Sequence, residues 1–237
     1  MKLPISKRLL CCASMVPDGA RVADIGTDHG YLGIHLLMEN RVPYVMACDL
    51  REKPLQKAVE NAELYGVKER MEFVLSDGLA DVDAAKVDTV VMAGMGGDLM
   101  GWILVACGWI RDERYTLVLQ PQTDGQGLRR WLGENNFCIE KELPVRDGGF
   151  IYTVMRVKYG KPMQLSPGQQ FVSPWLLSSG SELVPEYLAR LSSTLEKTAA
   201  GIRRGTSIDA EKLRYYEQAA KEIREMEKNY VNRKTDL

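Results

Sequence analysis

Histidine is almost missing from this chain: two residues, His29 and His35, in 237. They lie six apart with no cysteine at ligand spacing, which argues against a zinc site, so no metal is expected. The five cysteines, Cys11, Cys12, Cys48, Cys107 and Cys138, are odd in number and form no Cys-x-x-Cys. Each lies in an apolar segment, so they read as reduced core thiols rather than a disulfide framework. No run of eighteen apolar residues occurs, and Met1-Lys-Leu-Pro4 lacks the apolar core of a signal peptide, so no membrane span and a cytoplasmic location are expected. A charge excess is missing too. A net charge of −1 and a pI near 6.2 give no overall pull toward nucleic acid, so any RNA would have to be held by local basic patches. What remains is the balance of a globular chain, 45% hydrophobic and 27% charged, long enough for one sizeable domain and an appendage.

The chain is organised around Arg21-Val-Ala-Asp-Ile-Gly-Thr-Asp-His-Gly-Tyr31. An apolar run from Val22 to Ile25 breaks at Gly26 and resumes from Gly30 with Leu32, Ile34, Leu36 and Leu37 at helical spacing. That is a strand, a tight turn and a helix, and unpaired N–H groups at such a helix start favour a ligand. The glycines at 26 and 30 are too far apart for the dinucleotide pattern Gly-x-Gly-x-x-Gly. The spacing instead resembles the first motif of class I S-adenosylmethionine methyltransferases, Asp/Glu-x-Gly-x-Gly-x-Gly. Asp24, Gly26 and Gly30 fit it, and Asp28 replaces the middle glycine, a left-handed position that aspartate tolerates.

Further strands follow at Tyr44–Asp49, Met71–Leu75, Asp88–Ala93, Tyr115–Gln120, Phe137–Leu143 and Gly149–Val157, with helices between the earlier ones. The last two strands, joined by Arg146-Asp-Gly-Gly149, read as an antiparallel end to an otherwise parallel sheet. Acids stand at strand tips. Asp49, at the second, suits the two ribose hydroxyls of an adenosine, and because it should face a cleft its loss is expected to leave stability almost unchanged. Asp77 and Gly78 follow the third strand. Gly94-Met-Gly-Gly97 follows the fourth, leaving room for a ligand to lie on the backbone. A first helix, about Ser6 to Val16, carries Arg8 in its first turn, unfavourable to the helix dipole and suited to an anionic ligand group.

From Tyr159 to Gly180 the composition turns to Gly, Pro, Ser and Gln, which reads as a linker partly packed on the main domain. Beyond it, Val184, Leu188, Leu191, Leu195, Thr198 and Ile202 form one apolar stripe, and Leu213, Tyr216, Ala220, Ile223, Met226 and Tyr230 another. Two such stripes about Gly205-Thr-Ser207 predict an antiparallel helical hairpin of coiled-coil type. Its charges lean basic, Arg203 and Arg204 included, and its stripes are expected to satisfy one another, so that a chain cut near Gly180 should still fold. The expected domains are thus 1–159, a linker at 160–180, and the hairpin at 181–237.

Asp24-Ile-Gly-Thr-Asp-His-Gly-Tyr31, Ala93-Gly-Met-Gly-Gly97 and Leu119-Gln-Pro121, taken together with the hairpin, resemble the bacterial TrmK family, motif by motif over about residues 5 to 157. Gln122 departs from the Asn or Met that commonly follows Gln-Pro there. The resemblance implies an α/β fold, a class I methyltransferase Rossmann-like seven-stranded sheet with a C-terminal helical hairpin. It implies an enzyme that uses S-adenosyl-L-methionine to methylate N1 of an adenine in the D-loop region of tRNA, at position 22. The cofactor would then be held by Arg8, Asp24, Gly26, Thr27, Gly30, Asp49, Leu50, Asp77, Gly78, Ala93, Gly94, Met95 and Gly96. The tRNA would meet His29, Tyr31, Gln122, Arg203 and Arg204, and Asp28 would stabilise the cationic product or hold the methionine ammonium. A small-molecule methyltransferase on the same sheet, or a non-catalytic RNA-binding or cofactor-sensing protein, are the rival readings.

Overall fold

The computed structural model of the chain describes residues 2–205 and 209–235, the last five of these as backbone alone. In chain order the elements are α1 (Lys7–Met15), β1 (Arg21–Ile25), α2 (Tyr31–Met38), β2 (Tyr44–Asp49), α3 (Glu52–Leu64), β3 (Met71–Leu75), β4 (Thr89–Gly96), α4 (Gly97–Ala106), β5 (Thr116–Thr123) and α5 (Gly125–Glu134). There follow β6 (Phe137–Asp147), β7 (Phe150–Tyr159), α6 (Pro167–Phe171), α7 (Pro174–Leu177), α8 (Val184–Arg204) and α9 (Ala210–Thr235). No described helix is long and apolar enough to cross a membrane.

The seven strands form one sheet in the order β3-β2-β1-β4-β5-β7-β6. The first five are mutually parallel, and β7 runs antiparallel between β5 and β6. The near-continuous apolar runs of β1 and β4 are what a strand covered on both faces requires. One face buries Ile25, Met92 and Leu119 under Met100 and Leu104 of α4 and Leu128 and Leu132 of α5. The other buries Val22, Val91 and Val118 under Cys12 and Met15 of α1 and Leu32 and Leu36 of α2. Each such leucine contributes about 1.5–3 kcal/mol by leaving water. Ser6 caps α1 by accepting from the Leu9 N–H at 3.2 Å. All five cysteines are free thiols; Cys11 and Cys138 are only partly buried, against the expectation of uniform burial.

Two strands outrun their apolar cores. β4 continues through Gly94-Met-Gly96 and β5 through Pro121-Gln-Thr123, paired as Met95 with Pro121 and Gly96 with Thr123 across a bulge. The glycine segment is therefore a ladder extension and not a free loop.

The stretch expected to be a linker holds two short helices, because its prolines and serines are helix-start signals rather than spacers. Ser166 and Ser173 cap α6 and α7 with Pro167 and Pro174 just inside. Phe171, Val172 and Leu176 then share one apolar cluster with Val184, Leu188 and Leu195 of α8 and Ala219, Ala220 and Ile223 of α9. The helical hairpin is present as expected; Thr206 and Ser207 of its anticipated turn lie outside the described residues.

A buried ion pair ties the segment before the hairpin to the sheet. Arg129 of α5 meets Glu142 of β6, with side chains 2% and 0% exposed. Arg129 also donates to the Gln170 carbonyl at 3.0 Å and the Thr153 hydroxyl at 2.9 Å, and Ser173 donates to Glu142. Nearer the surface, Arg146 pairs with Glu186 of α8.

Candidate active site

The turn after β1 is locked from behind. The N–H groups of Gly26 and Thr27 both donate to the Cys48 carbonyl of β2, at 2.8 and 2.9 Å. The Thr27 hydroxyl donates to the Asp24 carboxylate at 2.8 Å. Burial pushes the Asp24 carboxyl up to about 6, against the Thr27 hydrogen bond and with help from nearby Asp49. Asp28 takes the left-handed backbone, φ +52, that the motif's middle glycine would occupy.

That backbone turn aims the Asp28 N–H at Asp49, whose Oδ2 accepts it at 3.2 Å. The other oxygen, Oδ1, accepts from the Arg51 N–H at 3.0 Å. Asp49 is thus buried and pinned by two backbone donors, while a carboxylate has about four lone-pair directions to offer. The expectation that Asp49 matters only to a ligand is corrected: it also satisfies the chain's own N–H groups.

On the β4 side, Arg8 reaches from α1 over the sheet edge. Its Nη1 donates to the side-chain carbonyl of Gln120, a fully buried residue of β5. Its guanidinium lies 5.8 Å from the centre of the Tyr152 ring, and a methyl on Gly94 would meet Nη1 at 2.7 Å. Likewise a methyl on Gly26 would meet the Met95 side chain at 2.3 Å. With φ of +71 and +83, Gly26 and Gly94 are glycines for both conformation and space. Gln120 and Tyr152 were not singled out from the sequence. Gln120 stands inside the quoted Leu119-Gln-Pro121 motif, a signal that was there to be read, whereas Tyr152 arrives through the antiparallel placement of β7.

The remaining residues spread along the same edge. Asp28 and His29 face the α3 side, lining an open cavity of about 490 Å3 with Arg51, Lys53, Pro54 and Lys57. His29 lies 3.6 Å from the Asp28 carboxylate and stacks on Tyr31 at 5.5 Å with rings 7° apart. Gly30, at φ +75, starts α2. Leu50, 64% exposed, follows Asp49, and Ala93 precedes the Gly94–Gly96 edge half-buried. Asp77 is exposed beside a cavity of about 430 Å3 whose walls include Trp102 and Ile103, and Gly78 is pressed against Ile103. Gln122 is exposed and donates to the Tyr152 hydroxyl at 3.4 Å. Arg203 and Arg204 lie apart from this edge at the end of α8. Arg203 pairs with Glu217, as Arg190 does with Glu186 and Arg224 with Glu196, so the basic lean of the hairpin is partly neutralised within it. Arg204 is exposed and makes no ion pair among the described residues.

A strand-tip carboxylate with spare lone pairs, an oriented guanidinium and a glycine-lined edge at the carboxyl ends of β1, β2 and β4 form a nucleotide-type site. The model of a family described as a methyltransferase domain matches residues 5–155. The tRNA (adenine(22)-N(1))-methyltransferase of Bacillus subtilis (strain 168) is 30% identical over 159 residues, which cover 67% of this chain and 67% of that one. A Streptococcus pneumoniae structure described as a putative tRNA (m1A22) methyltransferase is 30% identical, covers 94% of this chain and 99% of its own, and superposes with a TM-score of 0.81. The same protein has been solved in complex with S-adenosyl-L-methionine, with a TM-score of 0.80 to this chain. Bacillus subtilis TrmK, 24% identical, shares the fold over 95% of this chain and 100% of its own, with a TM-score of 0.84. The chain belongs to the methyltransferase-domain family, among the tRNA (adenine(22)-N(1))-methyltransferases.

Proposed function

We propose that this chain methylates N1 of adenine 22 in tRNA, working in the cytoplasm with S-adenosyl-L-methionine as methyl donor. The observation that carries the reading is the pairing of pinned Asp49 with oriented Arg8 across an edge paved by Gly26 and Gly94. Those groups fit the cofactor's parts. Asp49 would accept from the ribose hydroxyls, Arg8 would meet the methionine carboxylate, and Asp77 would accept from the adenine amino group. Leu50 would cover the adenine ring. Gly26, Thr27, Gly30 and Gly78, and Ala93 through Gly96, would supply backbone at close range, with Asp24 behind the turn.

When bound, the cofactor supplies a methyl group already activated by a sulfonium, so the chain's work is placement rather than strong acid or base catalysis. Adenine N1 carries a lone pair at neutral pH and needs no base. It lies on the Watson–Crick edge, so the base must be unpaired or extruded. The stacked His29 and Tyr31 would border the extruded base, and Gln122 would meet the RNA from the β5 side. Alkylated N1 leaves the ring positive, and Asp28 is the carboxylate proposed to stabilise that charge. Arg204 would meet tRNA phosphate directly, whereas Arg203 would first have to leave Glu217.

Transfer of labelled methyl from the cofactor to bulk bacterial tRNA tests the reading. Label should appear as 1-methyladenosine. Tight cofactor binding with no label in tRNA would leave the small-molecule methyltransferase as the better account.

A further inference from the structure

A second recess opens beside the β5–α5 turn, on the same sheet edge as Arg8 and Gly94 but across Tyr152 from them. It measures about 160 Å3. Its walls come from two bodies: Gln122, Asp124 and Gln126 with Tyr152 from the sheet, and Tyr187 and Leu191 from α8 of the hairpin. It therefore exists only while the hairpin is docked, which the Arg146–Glu186 pair and the apolar cluster of Phe171, Val172 and Leu176 with α8 maintain.

Three features decide what it takes. Its volume falls below the roughly 300–1,000 Å3 of sites for drug-sized ligands, and suits one planar heterocycle. Its lining joins two phenol rings to the amides of Gln122 and Gln126, which offer both donors and acceptors, a surface for stacking and edge hydrogen bonds. Its position is fixed by Tyr152: the ring that lines the recess also lies under the Arg8 guanidinium, which abuts Gly94 at the acceptor edge. A strand whose target base lay over Gly94–Gly96 would pass beside Tyr152, the ring shared by that edge and the recess.

We infer that the recess between the β5–α5 turn and α8 binds the nucleobase adjacent to the target adenine in the tRNA strand. The hairpin thereby acts as one wall of a base slot beside the acceptor site. The inference rests on the tRNA reading above and adds a subsite to it.

The test uses the full chain and three tRNA transcripts: intact, and abasic at the nucleotide on the 5′ or the 3′ side of the target adenine. One of the two abasic transcripts should lose roughly 5- to 100-fold in kcat/KM, the scale of one base–aromatic stack. Leu191→Trp, which fills the slot, should raise KM for intact tRNA with cofactor affinity unchanged, and should lose little more on that abasic transcript. Gln122→Ala, at an exposed position, should show the same non-additivity in milder form. Equal turnover of all three transcripts by the wild-type chain overturns the inference, as do losses from variant and abasic site that simply multiply. No methylation of intact tRNA, with cofactor still bound, would instead sink the tRNA reading itself, a result distinct from either.

Discussion

Gln120 and Arg8 meet across the boundary between sheet and first helix: the fully buried amide accepts from the guanidinium through its oxygen and donates to the Pro121 carbonyl at 2.8 Å through its nitrogen. The amide cannot turn without losing both bonds, so it sets where the Arg8 charge points.

Arg8→Ala should weaken cofactor binding by about 1.5–3 kcal/mol, the range for a hydrogen bond to a charged group. Gln120→Leu, which keeps Arg8 but frees it, should give a smaller loss, about tenfold or less. Calorimetry showing unchanged affinity in a folded Arg8→Ala protein would remove Arg8 from the site.

Asp49→Ala should weaken the cofactor by a similar amount and also destabilise the free protein by about 1–3 kcal/mol, because the Asp28 and Arg51 N–H groups lose their acceptor. Asp49→Asn keeps one acceptor oxygen and should recover part of the stability. Urea melts of the two variants separate these effects; equal melting of Asp49→Ala and wild type would contradict the geometry.

Asp24 links stability to pH. Its folded value, about 6, lies above the unfolded one near 3.8, so its contribution is full below the unfolded value and is lost as pH rises through the folded one. Above about pH 6 the ionised, buried carboxylate costs up to about 3 kcal/mol. Asp24→Asn should therefore gain on wild type in the ligand-free state between pH 4 and 7. Parallel stability-versus-pH curves for the two proteins would disprove the shift.

Asp28→Asn keeps shape and removes charge. If the carboxylate stabilises the charge on alkylated adenine, kcat should fall about a hundredfold or more while cofactor affinity stays within a few-fold. A loss confined to cofactor affinity would assign Asp28 to the methionine ammonium.

Much of the sheet and the first turn was legible because their signals are local: an apolar run, a glycine at the break, an acid at a strand tip. The hairpin was legible from its two stripes. What the sequence hid is what the fold brings together from far apart. Arg129 and Glu142 each look like surface charges in their own segments, and chain that follows β7, Gln170 and Ser173 among it, closes over them as a buried pair. Tyr152 joins the site because β7 is inserted antiparallel beside β5. Pro and Ser at 166–174 read as spacers by composition, yet they are caps by position.

The same packing changes what truncation should do. Cutting at Gly180 removes the α8 and α9 partners of Phe171, Val172 and Leu176, so the shortened chain should be markedly less stable than the full one. Glu142→Gln in the full chain should cost about 3–5 kcal/mol, since it strands the Arg129 charge. A Gly180 truncation that melts with the full-length chain would restore the view of the hairpin as an independent appendage.

The shut-in carboxyl of Asp24 also makes ligand uptake a proton-exchange event. The cofactor brings a net positive charge to the turn in front of Asp24, which favours the ionised carboxylate and lowers its affinity for a proton. Near pH 6 uptake should then expel a fraction of a proton into the medium. The heat recorded on mixing should accordingly track the ionisation enthalpy of the chosen buffer, and that dependence should shrink in Asp24→Asn.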